Sequence, residues 1–303
     1  MADTRDELIA RLRQRLLASA NQAGWGYTAG KVSRIEPTCW ALIALAYTAP
    51  ATDQWPSFAA DHLGFLKRLQ QPDGLLSETE PALCNLAANG LAALVLGNDV
   101  VAPSHADEYV RLIEGLVRLK GVRLEPVDPR QDSTLQGWPW VPETFSWVEP
   151  TAWCLLALKR AARSPDREGI RARCVEAERL LANRMCNGGG WNFGNALALG
   201  QDLRPYVPTT AVALMALQSA SRSTTVQTSL IWLEAERLSE PGAMTLALTS
   251  ICLRLYGAQT IDVDERLATI VEQSERGGNL LATALALCAL TGSRHQGDMF
   301  RVA

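Results

Sequence analysis

The chain has 303 residues, of which 48% are apolar and 20% charged, an ordinary globular composition that excludes a disordered polymer. Its net charge of −3 offers no broad basic surface for nucleic acid, and its seven cysteines, odd in number and without a C-x-x-C pair, indicate neither a disulfide framework nor a zinc ribbon. The opening MADTRDELIARLRQRLL scatters charges among its apolar positions, unlike a secretory signal, and the most apolar stretch, 82–96, is broken by Asn85 and Asn89 and too short to span a bilayer, so a cytoplasmic location is expected.

Taken in chain order, two kinds of segment alternate. Residues 4–20 read as an amphipathic helix, followed by IEPTCWALIAL (35–45), which is apolar nearly all round. The stretch 56–70 is amphipathic, with Leu63, Leu66 and Leu69 on one face, and CNLAANGLAAL (84–94) is apolar. The pattern repeats with 104–120 and VEPTAWCLLAL (148–158), 165–184 and VPTTAVALMAL (207–217), 223–239 and LALTSICLRL (246–255), and 263–274 and LLATALALCAL (280–290). The six apolar segments are alignable copies of one another, so the sequence is an internal repeat.

A helix without a polar side must be covered on every side. Six of them alternating with six half-polar helices predict a closed double ring, an all-α (α/α)6 toroid of six inner and six outer helices, with residues 1–303 forming one domain. Glycine and tryptophan recur ahead of inner helices: GWGY (24–27), GWPW (137–140), GGGWNFG (188–194), with RGGN (276–279) before the last. Glycine permits the reversal out of an outer helix, and tryptophan staples adjacent repeats or faces a ligand. Two long irregular stretches, 121–147 and 187–206, read as functional or lid-like loops.

LKRLQQPDGLLSETE (66–80) and NRMCNGGGWNFG (183–194) resemble the QW-type repeats of the prenyltransferase/squalene-cyclase superfamily. The resemblance extends over nearly the whole chain and implies the same toroid, a scaffold that serves terpene cyclases, protein prenyltransferase β subunits, thioester domains and binding modules. The prenyltransferase zinc ligands are an Asp, a Cys and a His; here His62, His105 and His295 all lie off the inner-helix segments, so no metal site is expected. The thioester string is absent. Class II terpene cyclases carry Asp-x-Asp-Asp followed by Thr-Ala at the start of an inner helix. Here Trp147-Val148-Glu149-Pro150 precedes Thr151-Ala152, so the resemblance implies that Glu149 takes the place of the proton-donating Asp. Glu36 stands at the matching place in the first repeat. Trp147 and Pro150 replace the flanking aspartates, and a lone Glu is mostly ionised at neutral pH unless burial raises it. The implied chemistry is therefore gentler than squalene cyclisation: isomerisation, or cyclisation of an activated substrate. Asp262-Val263-Asp264-Glu265 mimics the motif but precedes an outer helix, where an N-cap explains it.

Both Glu36 and Glu149 precede proline and read either as inner-helix N-caps or as acid–base groups pointing into the ring. Ring closure gathers the inner-helix N-termini at one end, where Trp40, Trp138, Trp140, Phe145, Trp147, Trp153, Trp191 and Tyr206 are the candidate aromatic walls of a pocket. For Trp40 and Trp153 a core role is the equal alternative. Arg34 and Arg204 are candidate anion binders, with solvation or pairing to Glu143 or Asp202 as the alternative. The expected ligand is a hydrophobic, isoprenoid-like small molecule, with no nucleic acid and no cofactor. Magnesium enters only if the substrate is a diphosphate. A peripheral membrane contact stays open because isoprenoids partition into bilayers, and no protein partner is indicated. Two functions follow: a terpene-cyclase-like enzyme acting through Glu149 and Glu36, or a non-catalytic toroid that binds a lipid or a protein.

Overall fold

The computed structural model describes residues 4–48, 55–79, 82–98, 100–102, 105–125, 130–162, 168–274, 278–292 and 299–302. Among them are the helices α1 (Arg5–Ala18), α2 (Ile35–Thr48), α3 (Trp55–Leu69), α4 (Leu86–Leu96), α5 (Ala106–Arg118), α6 (Val148–Ala161), α7 (Glu168–Asn183), α8 (Val207–Ala216), α9 (Thr224–Glu236), α10 (Ala243–Leu255), α11 (Ile261–Ser274) and α12 (Leu280–Thr291). Two small antiparallel hairpins decorate them, β1–β2 (Glu78–Thr79 and Ala82–Leu83) and β3–β4 (Leu197–Ala198 and Gln201–Asp202). The expected helix starts at 104 and 165, and Arg276 and Gly277 of the last turn motif, fall outside the described residues.

The even-numbered helices form the inner ring. Each packs on the next, and α12 packs on α2, so the ring is closed. The odd-numbered helices lie outside, α5 against α4 and α6, α11 against α10 and α12, and α1 across the seam between α12 and α2. The predicted all-α toroid is the observed fold. Every residue of α4 is buried, whereas α1 buries only Leu8, Ile9, Leu12 and Leu16, one stripe of its surface. Boundaries differ by a few residues. Asn85 sits extended before α4 and its side chain accepts the amide of Ala88, which delays that helix to Leu86. No helix among the described residues is long and apolar enough to cross a membrane.

One joint recurs in the wall. The backbone N–H of Trp25 donates to Thr38 Oγ1 (3.0 Å), that of Trp138 to Thr151 Oγ1 (3.0 Å) and that of Trp191 to Thr210 Oγ1 (2.9 Å). Each indole N–H then donates to a carbonyl of an outer helix: Leu16, Leu116 and Leu181. In the second repeat Asn89 replaces the threonine and bonds both the amide and the carbonyl of Leu76. The preceding glycine is forced by this joint: a Cβ on Gly24 would lie 2.5 Å from the Thr38 hydroxyl.

A second device links neighbouring repeats. The first amide of an inner helix lacks an intrahelical partner, and in five of the six inner helices the loop of the following repeat supplies one. Ile35 N–H donates to the Glu78 carboxylate, Leu86 N–H to Trp140 O, Val148 N–H to Phe193 O, and Val207 N–H to Glu240. Leu280 N–H donates to Tyr27 O in the first repeat, which carries the device across the seam of the ring. The outer seam has its own clasp. Asp264 is buried and accepts from Ser250, Thr260 and Arg254, and from Arg5, whose guanidinium also holds Leu290 O. Asp262, two residues earlier, pairs with Arg237 (2.7 Å). Both aspartates lie inside the first turn of α11, so neither is the N-cap expected from the sequence; the mimic of the cyclase motif is a structural clasp.

The joint predicts a measurable cost. Thr151→Val keeps the shape but leaves the buried Trp138 amide unpaired, and is expected to destabilise the protein by about 1–3 kcal/mol. Thr269→Val, on an exposed hydroxyl of α11, is the control and should stay within about 0.5 kcal/mol in urea unfolding.

Candidate active site

Glu36 and Glu149 occupy the second position of α2 and α6, each followed by a proline whose missing N–H costs nothing in a first turn. The N-cap reading does not hold. The residue before α6 is Trp147, in extended conformation, and the first amides of both helices are met by Glu78 and Phe193 instead. Both glutamates are half-buried, and the charge of Glu36 reaches Glu149 although α4 lies between their helices.

The segments Glu36-Pro37-Thr38-Cys39-Trp40 and Glu149-Pro150-Thr151-Ala152-Trp153 place a tryptophan four residues after each glutamate, hence on the same helix face one turn deeper. Trp40 and Trp153 meet edge to face, with ring centroids 5.8 Å apart and planes at 78°. They are 2% and 5% exposed, so they form a floor and not an open wall. The Trp153 side chain hydrogen-bonds Glu149. Phe300 closes the floor from below, 5.5 Å from Trp40 and 6.2 Å from Trp153.

Above the carboxyls stands an aromatic rim. Tyr27 donates its hydroxyl to Glu36 Oε2 at 2.7 Å. Phe145 stacks on Trp147 (4.7 Å) and Phe193 on Tyr206 (4.9 Å), with the exposed Arg204 5.3 Å over the Tyr206 ring. The two long loops foreseen in the sequence meet beside this rim around an open cavity of about 500 Å³ lined by Leu124, Leu135, Phe145, Leu197 and Leu199. Leu199 is fully exposed with a left-handed φ of 52° at the tip of the β3–β4 hairpin.

Several expected wall residues lie elsewhere. Trp138 and Trp191 are fully buried between the layers with their indole N–H groups satisfied, so they take the stapling role. Arg173 stacks on the outer side of Trp138 at 4.0 Å. Trp140 is half-buried against the core and serves through its carbonyl, which caps α4. Arg34 is held by Glu78 at 2.7 Å, a partner the sequence did not indicate, and is committed to the α2 N-terminus. Asp202 meets Arg130 at 4.0 Å. Among the described residues, no three His, Cys, Asp or Glu side chains gather as a metal cage.

Burial first and the charge of Glu36 second push Glu149 up to about 7, against the opposing effect of the Trp153 side chain. Burial also raises Glu36, against the Tyr27 hydroxyl, which favours the ionised form. With a pKa of about 7, Glu149 keeps part of its proton at neutral pH, and the charge of Glu36 favours that protonated form. Burial and the Glu36 charge together push the Cys39 thiol far up, which leaves it a buried apolar group and not a nucleophile.

No protein-family model matches the sequence, and no curated protein matches it. Solved structures do match in fold. They include a structure described as a novel alpha-amylase from Clostridium perfringens (TM-score 0.62, 8% identity, covering 96% of this chain and 98% of that one). A second is a variant of the type II terpene cyclase MstE from Scytonema, in complex with its substrate geranylgeranyl dihydroxybenzoate (TM-score 0.59, 15% identity, 95% and 97%). A third is Rex8A from Paenibacillus barcinonensis complexed with xylose (TM-score 0.55, 12% identity, 99% and 95%). At these identities the likeness is one of fold, and it spans nearly the full length of each chain.

The raised Glu149 carboxyl has a thermodynamic signature. A carboxyl whose folded pKa lies above its unfolded value loses stability as pH rises from the unfolded value, near 4.5, through the folded value, near 7. Glu149→Gln removes that loss. Its stability relative to the native protein is expected to rise between pH 4.5 and 7 and to stay level above, read from urea melts across pH. A flat difference would place Glu149 in water.

Proposed function

We propose that the protein is an acid–base enzyme of the terpene-cyclase type acting on a hydrophobic, isoprenoid-like substrate at the mouth of the ring. The observation that carries this reading is the pair Glu36 and Glu149, each one helical turn before a tryptophan of the edge-to-face pair Trp40–Trp153, with Glu149 raised to about 7 by burial and by the charge of Glu36. Glu149 is the proton donor. Glu36, oriented by the Tyr27 hydroxyl it accepts, is the base. A carboxyl with a pKa near 7 is matched to proton transfer at neutral pH. It is too weak an acid for an unactivated alkene, so the substrate carries a polarised double bond, an epoxide or an allylic leaving group. In an isomerisation Glu149 gives a proton to one carbon and Glu36 removes one from another. Substrate and product then balance, and the pair is reset by proton exchange through the mouth.

The tryptophan faces and the rim rings Phe145, Trp147, Phe193 and Tyr206 suit the cationic charge that forms between these two transfers. The neighbouring terpene cyclase, whose complex holds a geranylgeranyl substrate, supports a hydrophobic ligand in a toroid of this kind. Two carboxyls over aromatic rings are also the equipment of glycoside hydrolysis, and the xylose-bound toroid makes that the chemical competitor to test.

The experiment presents native protein and Glu149→Gln with prenyl alcohols, prenyl diphosphates with and without magnesium, an epoxidised polyene, and xylo-oligosaccharides, with products read by mass spectrometry. The expected result is an isomerised or cyclised prenyl product, formed with a bell-shaped pH dependence and reduced at least 100-fold in Glu149→Gln. Hydrolysis confined to the oligosaccharides would replace the substrate class. Retention of a prenyl compound without turnover would make the protein a binding toroid.

A further inference from the structure

Among the described residues two arginines are buried, Arg173 (4% exposed) and Arg184 (6% exposed). A buried cation is costly unless a carboxylate meets it. Arg173 has one, Glu176 at 3.0 Å. Arg184, directly after α7, has neutral acceptors instead: its guanidinium donates to Asp132 O (3.1 Å) and to Asn183 Oδ1. The Asp132 carboxylate is engaged by the amide (2.9 Å) and hydroxyl (2.6 Å) of Thr134, and reaches Arg184 only through its field. Among the described residues no carboxylate forms an ion pair with Arg184.

Arg184 lines the cavity of about 500 Å³ between the two long loops. So does Gln131, whose Oε1 is buried without a hydrogen-bond partner among the described residues. Asp132 N–H donates to Asn183 Oδ1 (2.9 Å), so this stretch of loop is pinned beside the end of α7, where Arg184 stands. Much of the remaining wall is apolar, and Val122, Leu124, Phe145 and Leu199 on it are exposed to solvent. Glu125, the other charged residue of the wall, is exposed, so water and salt screen its charge. A buried cation without a counter-ion, an acceptor without a donor and uncovered apolar side chains thus meet in one cavity, whose volume is that of a small-molecule site.

We propose that this cavity binds a hydroxy acid with a hydrocarbon tail. The ligand carboxylate takes the guanidinium of Arg184, its hydroxyl donates to Gln131 Oε1, and its tail lies along Leu124, Leu135, Phe145 and Leu197. Phe145, stacked on Trp147, belongs to the aromatic rim as well, so the site adjoins the mouth of the ring. Neither Glu36 nor Glu149 lines it, and the inference does not rest on the acid–base reading above.

The test titrates the full chain with decanol, decanoate, α-hydroxydecanoate and β-hydroxydecanoate in a calorimeter. Decanoate is expected to bind about 10-fold more tightly than decanol, and the better hydroxy acid about 3-fold more tightly than decanoate. Arg184→Gln should abolish the preference for acid over alcohol while still binding decanol, and Gln131→Leu should abolish the advantage of the hydroxy acid. Leu124→Asp, a change at an exposed side chain, puts a negative charge on the wall and is expected to weaken decanoate by about 10-fold. Decanol binding as tightly as decanoate, or no binding of any probe, overturns the proposal. So does undiminished decanoate binding by Leu124→Asp, which would put the acid elsewhere on the protein. If Arg184→Gln does not fold, Leu124→Asp and the comparison of decanoate with decanol on the native chain decide in its place. Decanoate equal to both hydroxy acids overturns the assignment of the ligand hydroxyl to Gln131.

Discussion

An α-helix that is apolar on every side has no stable place at a surface, and this chain contains six of them. Closing them into a ring lets each bury two flanks against neighbours, its back against the outer layer and its front against the axis. Ring closure is thus the constraint from which the other features follow. It brings Tyr27 beside Leu280, Arg5 beside Asp264, and Glu36 into the field of Glu149 across an intervening helix. None of these pairs is close in sequence.

Closure also decides what the polar groups do. The inner-helix N-termini point to one end, and their unpaired amides are met by groups reaching back from the following repeat. Glu78 and Glu240 are spent in this way on α2 and α8. Glu36 and Glu149 are thereby released from capping. They remain as two carboxyls in a half-buried space, beside helix dipoles that favour charge and apolar walls that oppose it. The balance raises both carboxyls, Glu149 to about 7. At the other end of the ring, the front of each helix needs a partner, and Trp40, Trp153 and Phe300 provide it.

The fold was legible because the signal was redundant. Six apolar segments alternate with six amphipathic ones, and IEPTCW and VEPTAW repeat almost letter for letter. Glu36 and Glu149 could be picked out because the same repeat places a carboxylate before proline twice. What escaped was everything that depends on a side chain's direction. Trp138 and Trp153 look alike in sequence, yet one faces the outer layer and the other the axis. An all-apolar helix carries no periodic mark to tell these faces apart. Tyr27 was hidden within a turn motif, and its reach to Glu36 follows only from the fold of the loop. Arg34 found Glu78 in a hairpin that belongs to the next repeat. Phe300 had no pattern around it, since its place on the axis is set by backbone anchors on Gln218 and Arg160. The Asp-Val-Asp-Glu string was a coincidence of composition at a helix start, which the clasp from Asp264 to Arg5 and Arg254 explains in full.

The central claim is that Glu149 holds its proton to near neutral pH through burial and the charge of Glu36, and carbon-13 NMR of side-chain carboxyls in glutamate-labelled protein reads it directly. The account predicts one glutamate resonance titrating near 7, absent in Glu149→Gln and moved to lower pH in Glu36→Gln. A spectrum in which every glutamate titrates in the ordinary range near 4.3 would contradict it.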